Sequence, residues 1–125
     1  MKIVLVDDAT ELRHLVKDLL ADVPGLEIAG EAGDVLEAVE LITALHPDVV
    51  ILDISLPSGS GIEVLRRVKQ MWPAPVVIML TGLRTAEYRK ACANAGADYF
   101  FEKTTDLAPL YRTMNELARR FHPGS

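Results

Sequence analysis

A short, uninterrupted apolar run near the middle of the chain constrains the fold more than any other stretch. Residues 49–52 read Val-Val-Ile-Leu, and Asp53 ends the run. A strand covered on one face alternates apolar and polar residues, whereas a continuous run is typical of a strand covered on both faces, as in a parallel sheet. Ligands of open parallel sheets bind outside the carboxyl ends of the strands. Asp53 is therefore expected where such a sheet carries its functional groups.

The rest of the chain alternates between strand-like and helix-like segments. We expect strands at residues 2–6, 26–31, 49–52, 76–80 and 98–101, each followed by an amphipathic helix. Such alternation is typical of a parallel sheet with right-handed crossovers and with helices on both faces. The sequence therefore predicts a three-layer α/β sandwich.

Local signals mark the start and the inner face of the predicted helices. Thr10, Asp34, Ser60 and Asp106 are of residue types that cap a helix N-terminus. The fourth helix, roughly residues 85–95, is rich in small residues, so we expect it to bury little apolar area. The side chains expected to face the core are Leu12, Leu15, Val16, Leu19 and Leu20; Val35, Leu36, Val39, Leu41 and Ile42; Ile62, Leu65, Val68 and Trp72; Ala86, Ala91, Cys92 and Ala95; and Leu107, Leu110, Met114, Leu117 and Phe121.

Length, charge and cysteine content restrict the class of protein. The chain has 125 residues, a formal net charge of −5 and a single cysteine, Cys92. We expect one domain over residues 1–121 and a frayed tail or cloning remnant at 122–125. The acidic balance argues against nucleic acid as a direct partner, and no apolar run reaches the ~18 residues of a membrane helix. Because no internal disulfide can form, we expect a cytoplasmic protein without a membrane partner.

Chemically useful side chains follow four of the predicted strands. They are Asp7 and Asp8 after the first strand, Asp53 after the third, Thr81 after the fourth and Lys103 after the fifth. Taken singly, each could serve as a turn, cap or surface residue. Parallel strands place their carboxyl ends at one edge of the sheet, so we expect these groups to converge there.

Three neighbouring carboxylates require a counter-charge. Two like charges ~4 Å apart cost about 4 kcal/mol at an effective dielectric constant of about 20. A hard divalent cation removes this cost, and an all-oxygen ligand set favours Mg²⁺, which also binds phosphate. A carboxylate nucleophile, a metal, a lysine and a hydroxyl group suit phosphoryl transfer. We therefore predict an aspartyl phosphate as the product.

Over its whole length except the last few residues, the sequence resembles the receiver domain of two-component response regulators of the chemotaxis type. The resemblance implies a flavodoxin-like fold with strand order 2-1-3-4-5. It implies that Asp53 accepts the phosphoryl group. It also implies that Mg²⁺, held mainly through Asp8, has as its ligands Asp7, Asp8, Asp53 and the backbone carbonyl of Ser55.

The resemblance assigns roles to three further residues. Thr81 and Lys103 complete the implied catalytic set with Asp53, the threonine as a switch hydroxyl that follows the phosphate and the lysine as its cation. Phe100 stands at the aromatic switch position. Two positions depart from the family pattern, because Thr104 replaces a common proline after the lysine and Phe100 lacks the hydroxyl group of a tyrosine.

The predicted function is that of a signalling module rather than an enzyme with other substrates. By the resemblance, a histidine kinase donates the phosphoryl group, and the chain catalyses only its own phosphorylation and dephosphorylation. The expected further partners are an output protein or a C-terminal effector domain. We also expect that phosphorylation favours a dimer formed through residues 85–121.

Two other classes of function fit these residues less well. An aspartate-nucleophile phosphatase of the dehalogenase type needs a second aspartate two residues after the nucleophile, where Ser55 stands. A nucleotide or flavin binder of the flavodoxin type needs a glycine-rich loop after the first strand, where Asp7 and Asp8 stand instead. A phosphorelay shuttle remains an alternative, since the sequence does not separate it from a regulator with its own output.

Overall fold

The computed structural model describes residues 1–83 and 85–121. Its strands are β1 (Lys2–Val6), β2 (Glu27–Ala32), β3 (Val49–Leu52), β4 (Ser55–Leu56), β5 (Gly59–Ser60), β6 (Val76–Thr81) and β7 (Tyr99–Glu102). Its helices are α1 (Thr10–Leu20), α2 (Val35–Leu45), α3 (Gly61–Val68), α4 (Ala86–Asn94) and α5 (Leu107–Phe121). The predicted tail at residues 122–125 lies outside the described residues.

A parallel sheet organises the described part of the chain, in the order β2-β1-β3-β6-β7. The two-residue strands β4 and β5 pair separately as an antiparallel hairpin. Without this hairpin the order reads 2-1-3-4-5, which confirms the predicted flavodoxin-like topology. Val49 pairs with Ile3 on one side and with Val76 on the other, and every residue of β3 is buried. The uninterrupted apolar run is therefore the central strand.

Alternate residues of β3 face two separate hydrophobic cores. Val50 and Leu52 lie in the core that α2, α3 and α4 cover. Val49 and Ile51 lie in the core that α1 and α5 cover. Helices on both faces of the sheet confirm the three-layer sandwich.

Two of the four predicted helix caps are present as side-chain hydrogen bonds to the helix. The side chains of Asp34 and Ser60 accept hydrogen bonds from the first turns of α2 and α3, at 3.0 and 3.1 Å. The prediction for Thr10 is wrong, because Ala9 is the last extended residue and Thr10 already begins α1. Asp106 stands directly before α5 as predicted, and its backbone carbonyl accepts a hydrogen bond from the N–H group of Leu110 at 3.0 Å. Its carboxylate accepts a hydrogen bond from the N–H group of Glu102 at 2.8 Å.

Some side chains expected in the core are exposed instead. They are Leu15, Leu36, Trp72, Ala86 and Phe121. Trp72 is 94% exposed because α3 ends at Val68 and the tryptophan falls in the loop before β6. Pro73 disfavours helical conformation at Trp72, so the helix does not extend through the tryptophan.

Candidate functional site

Side chains from four parallel strands meet at the carboxyl edge of the sheet. Asp7 follows β1, Asp53 follows β3, Thr81 ends β6 and Lys103 follows β7. The Nζ atom of Lys103 lies 2.7 Å from Oδ2 of Asp7 and 2.7 Å from Oδ2 of Asp53. The lysine thus bridges two carboxylates that come from different strands.

The acidic residues of this edge form a group that could hold a metal ion. One carboxylate oxygen each from Asp7, Asp8 and Asp53 lies within 4.8 Å of the others. Asp7 and Asp53 are only 5% and 4% exposed, whereas Asp8 faces solvent. Three oxygen ligands with one open side fit a hard cation that keeps some of its water.

Burial and charge act in opposite directions on the ionisable groups of the site. Burial raises the pKa of Asp7, and the hydrogen bond from Lys103 offsets this rise only in part. Burial alone would lower the pKa of Lys103, but its hydrogen bonds to Asp53 and Asp7 raise that pKa above the ordinary lysine value. The ammonium group of Lys103 is therefore firmly protonated, and the two carboxylates depend on it for their charge balance.

A close backbone approach fixes the segment that follows Asp53. A Cβ atom at Gly61 would lie 1.8 Å from the carbonyl oxygen of Asp53, so only glycine fits there. The N–H group of Gly61 donates a 2.6 Å hydrogen bond to the carbonyl oxygen of Ile54. The hairpin of β4 and β5 brings the chain back to this contact. Because Gly61 opens α3, the start of that helix holds the backbone of Asp53 in place.

The remaining residues that the resemblance singled out lie around this centre. Thr81 is fully buried, and its hydroxyl oxygen accepts a hydrogen bond from the N–H group of Leu83 at 3.2 Å. The N–H group of Ser55 donates a long hydrogen bond, 3.4 Å, to Oδ1 of Asp53. Phe100 is half-buried, and the guanidinium carbon of Arg89 stands 4.6 Å from its ring centroid.

Two contacts of the site were not predicted from the sequence. One is the approach of Gly61, for which the only local signal is a glycine directly after the Ser60 cap. The other is Arg13, which donates a hydrogen bond from Nη1 to the carbonyl oxygen of Asp7. Arg13 lies outside the apolar stripe of α1, so its spacing alone does not separate it from a solvated arginine.

Thr104 stands where the family often has a proline, and the peptide bond before it has the ordinary trans form. Among the described residues, the cis peptide bond is the one between Trp72 and Pro73, so the bond between Lys103 and Thr104 is trans. The Thr104 hydroxyl group donates to the carboxylate of Glu102 at 3.0 Å. Lys103 reaches both carboxylates from this trans geometry.

Chemically, the site offers a carboxylate nucleophile, a cation beside it and a set of metal ligands. Such a group can accept a phosphoryl group, because this transfer requires positioning and charge neutralisation more than covalent chemistry by the protein.

No helix among the described residues is both long enough and apolar enough to cross a membrane.

Comparison with known protein families gives one match that spans most of the chain. The model of the response regulator receiver domain matches residues 3–115. Protein-glutamate methylesterase/protein-glutamine glutaminase 1 of Methanospirillum hungatei JF-1 is 33% identical over 122 residues, which are 96% of this chain and 36% of that protein. The chain spans between 22% and 36% of the length of the methylesterase relatives that it matches.

Solved structures agree with the sequence comparison. The response regulator domain of Thermotoga maritima CheB superposes with a TM-score of 0.82 at 29% identity, covering 96% of this chain and 94% of that one. A chain of the CheX-CheY-BeF3-Mg+2 complex from Borrelia burgdorferi matches with a TM-score of 0.84 at 26% identity, covering 94% of this chain and 88% of that one.

Proposed function

The chain belongs to the family of response regulator receiver domains, which are phosphoacceptor signalling modules of two-component systems, and we propose that Asp53 is its phosphoacceptor. The observation that carries this proposal is the 2.7 Å pairing of the buried Asp53 carboxylate with Lys103. Asp53 is the carboxylate of the described site that follows the central strand. The cation beside it, Lys103, is also held by a second acid, Asp7.

The chemical step is a transfer between two nucleophiles. A carboxylate oxygen of Asp53 attacks the phosphorus atom of a phosphohistidine on the kinase, a P–O bond forms, and the P–N bond breaks as the imidazole leaves. Lys103 then pairs with an oxygen of the new phosphoryl group. The Thr81 hydroxyl group turns from Leu83 and donates to another of these oxygens. Both residues stabilise charge where it develops.

The residues of the acidic group fit Mg²⁺, because they offer oxygen ligands only and leave one side open to solvent. Asp7, Asp8 and Asp53 would hold the ion together with the backbone carbonyl of Ser55. Bound Mg²⁺ supplies charge neutralisation to the phosphoryl oxygens. Asp8 would be the solvent-exposed ligand, since it is the exposed member of the group.

The domain is regulatory, and its reaction is confined to its own phosphorylation and dephosphorylation. A histidine kinase in the cytoplasm is its phosphodonor. The methylesterase relatives, of which this chain spans between 22% and 36%, support an output domain or a separate output protein as the further partner. The surface of residues 85–121, which includes Phe100, carries the signal and also forms the phosphorylation-dependent dimer.

Labelling with a small phosphodonor tests the assignment of Asp53. With Mg²⁺ present, intact-mass spectrometry should show a single phosphate that is stable in acid and labile in base. Asp53→Asn should abolish the label, and Asp18→Asn, on the exposed side of α1, should retain it. Undiminished labelling of Asp53→Asn would show that another residue accepts the phosphoryl group.

A further inference from the structure

Arg13 reaches from α1 to the backbone that carries the acidic pair, Asp7 and Asp8. Its Nη1 atom donates a hydrogen bond to the carbonyl oxygen of Asp7. That carbonyl belongs to the peptide group between Asp7 and Asp8. The hydrogen bond therefore fixes the plane of this peptide, and with it the direction in which the Asp8 side chain leaves the backbone.

A second hydrogen bond anchors the guanidinium group to the sheet. Its Nε atom donates to Oε1 of Glu31 at 3.0 Å, and the Arg13 side chain is only 19% exposed. Glu31 belongs to β2, which pairs directly with β1. The N–H group of Asp7 donates to the carbonyl oxygen of Ala32 in the same strand, at 3.0 Å. Arg13 thus ties the acidic pair to a rigid neighbouring strand.

Asp8 needs such support more than the other two carboxylates do. Asp7 is held at both oxygens, by the N–H group of Ala9 and by Lys103. Asp53 is held by Lys103 and by the N–H group of Ser55. Asp8 is exposed, and its side chain makes no hydrogen bond to any residue that the structure describes. Among the described residues, the backbone is therefore what sets the direction in which its side chain leaves the chain.

We propose that Arg13 is a positioning residue of the metal site, which orients the peptide between Asp7 and Asp8 so that both carboxylates meet a single Mg²⁺ ion. This inference rests on the proposed function, because it presumes that the acidic group binds the metal. Partners that orient metal ligands typically contribute 10-fold to 100-fold to metal affinity, so we expect Arg13→Gln to weaken Mg²⁺ binding about 10-fold.

Lys17 provides a matched control for the charge and for the contact with Glu31. Its Nζ atom lies 2.9 Å from Oε2 of the same carboxylate, but it makes no contact with Asp7. Lys17→Gln removes a positive charge beside the same Glu31 carboxylate, at 31% rather than 19% exposure, and leaves the peptide contact intact. If only the local charge mattered, the Lys17 and Arg13 variants would lose the same Mg²⁺ affinity.

The experiment measures the Mg²⁺ dissociation constant by calorimetry and the free energy of unfolding in EDTA for each variant. We expect about 10-fold weaker binding for Arg13→Gln and less than about a twofold change for Lys17→Gln. A merely structural role would lower stability without metal and leave the dissociation constant unchanged. Dissociation constants of Arg13→Gln and wild type within twofold of each other would overturn the proposal, and so would equal losses in the two variants.

Two further variants keep the test decisive. Arg13→Lys retains the charge but lacks the planar fork that serves Glu31 and the peptide together, so it should also bind Mg²⁺ more weakly. If Arg13→Gln does not fold, Arg13→Lys takes its place in the test. An Mg²⁺ affinity of Arg13→Lys equal to that of wild type would then overturn the proposal. Asp8→Ala separates the two hypotheses. If Asp8→Ala does not weaken Mg²⁺ binding relative to wild type, the proposed metal site itself is wrong. If Asp8→Ala weakens it but the Arg13 variants bind Mg²⁺ as tightly as wild type, only the positioning role is wrong.

Discussion

At the scale of single residues, the site depends on one lysine that balances two buried acids. Lys103 lies 2.7 Å from both Asp7 and Asp53, and neither carboxylate has another cation among the described residues. Removing one partner of a buried ionic group leaves an uncompensated charge, which typically costs 3–5 kcal/mol. The state without metal is therefore the one in which Lys103 matters most for stability.

We expect Lys103→Met to lose about 3 kcal/mol of stability in EDTA at neutral pH. The pKa of Lys103 is raised, so its contribution is fully present below the ordinary lysine value and is lost as the pH rises through the folded value. The pKa of Asp7 is also raised, and without the cation it should rise further. The folded variant then binds protons more readily than the unfolded chain, and it recovers stability as the pH falls.

Urea unfolding in EDTA at about pH 5 and about pH 8 measures the stability that Lys103→Met loses relative to wild type. This loss should be clearly larger at the higher pH. Lys90→Met, at an exposed position of α4, is the control and should match wild type at both values. A deficit of the same size at both values of pH would contradict the assignment of the effect to the carboxylates.

A second prediction concerns the backbone contact beside Asp53. Gly61→Ala places a methyl group 1.8 Å from the Asp53 carbonyl oxygen and 3.1 Å from Cα of Ile54, so the backbone must move. We expect a loss of about 2–3 kcal/mol in stability and slower phosphorylation, because the nucleophile is displaced.

Gly82→Ala is the control, since its added methyl group would meet nothing within 4 Å. Its free energy of unfolding should stay within about 0.5 kcal/mol of wild type. Equal stability of the two alanine variants in a urea titration would show that the start of α3 yields without strain.

At the scale of secondary-structure elements, α4 is the helix most weakly attached to the core. Cys92 is its one fully buried side chain among the described residues. Such an element opens or shifts at low free-energy cost, which suits a surface that must change. The Arg89 guanidinium group, stacked on the Phe100 ring, joins this helix to β7.

We expect Arg89→Ala to favour the activated arrangement. If Phe100 is the aromatic switch that the family resemblance implies, activation turns its ring inward. That movement has to break the contact with Arg89, and an exposed contact of this kind is worth about 0.5–1 kcal/mol. Its loss should strengthen binding of a beryllofluoride phosphate mimic by about twofold to fivefold. Lys90→Ala, on the same helix, should leave this affinity unchanged.

Hydrogen exchange with the mimic locates the change. Protection should change across residues 85–101 in wild type and should fail to do so in Thr81→Ala, because in the proposed switch the Thr81 hydroxyl group moves towards the phosphate and vacates space for the Phe100 ring. If Arg89→Ala binds the mimic as wild type does, the stacked pair does not restrain the ring.

At the scale of the whole molecule, metal binding and folding are linked. Mg²⁺ that binds only the folded chain adds about 2.7 kcal/mol at a concentration of a hundred times Kd. For a domain of this size we expect the melting temperature to rise by about 10 °C. Asp8→Ala should lose this shift. Without metal it should melt no lower than wild type, because the exposed Asp8 then adds only repulsion to the acidic group.

Thermal melts with Mg²⁺ and with EDTA measure both quantities. Asp18→Ala is a control that removes an exposed carboxylate of α1 away from the acidic group. Equal Mg²⁺-induced shifts in wild type and Asp8→Ala would rule out a site that includes Asp8.

The sequence alone determined the order of the five sheet strands and the five helices, the α/β class and the edge of the sheet where the polar residues gather. These properties follow from signals within short windows: the apolar run of residues 49–52, the caps Asp34 and Ser60, and the position of Asp53 directly after a strand. The strand order came from the family resemblance, because pairing between strands far apart in sequence leaves no local signal.

Tertiary structure alone decided which side chains are covered and which atoms touch. Leu36 and Trp72 fit the helical stripes yet are 64% and 94% exposed, since burial depends on where the sheet and the neighbouring helices end. The bridge from Lys103 to two carboxylates and the contact of Arg13 with the Asp7 carbonyl join segments from different parts of the fold. Such distances are set by the packing of whole elements, so periodicity and residue type do not predict them.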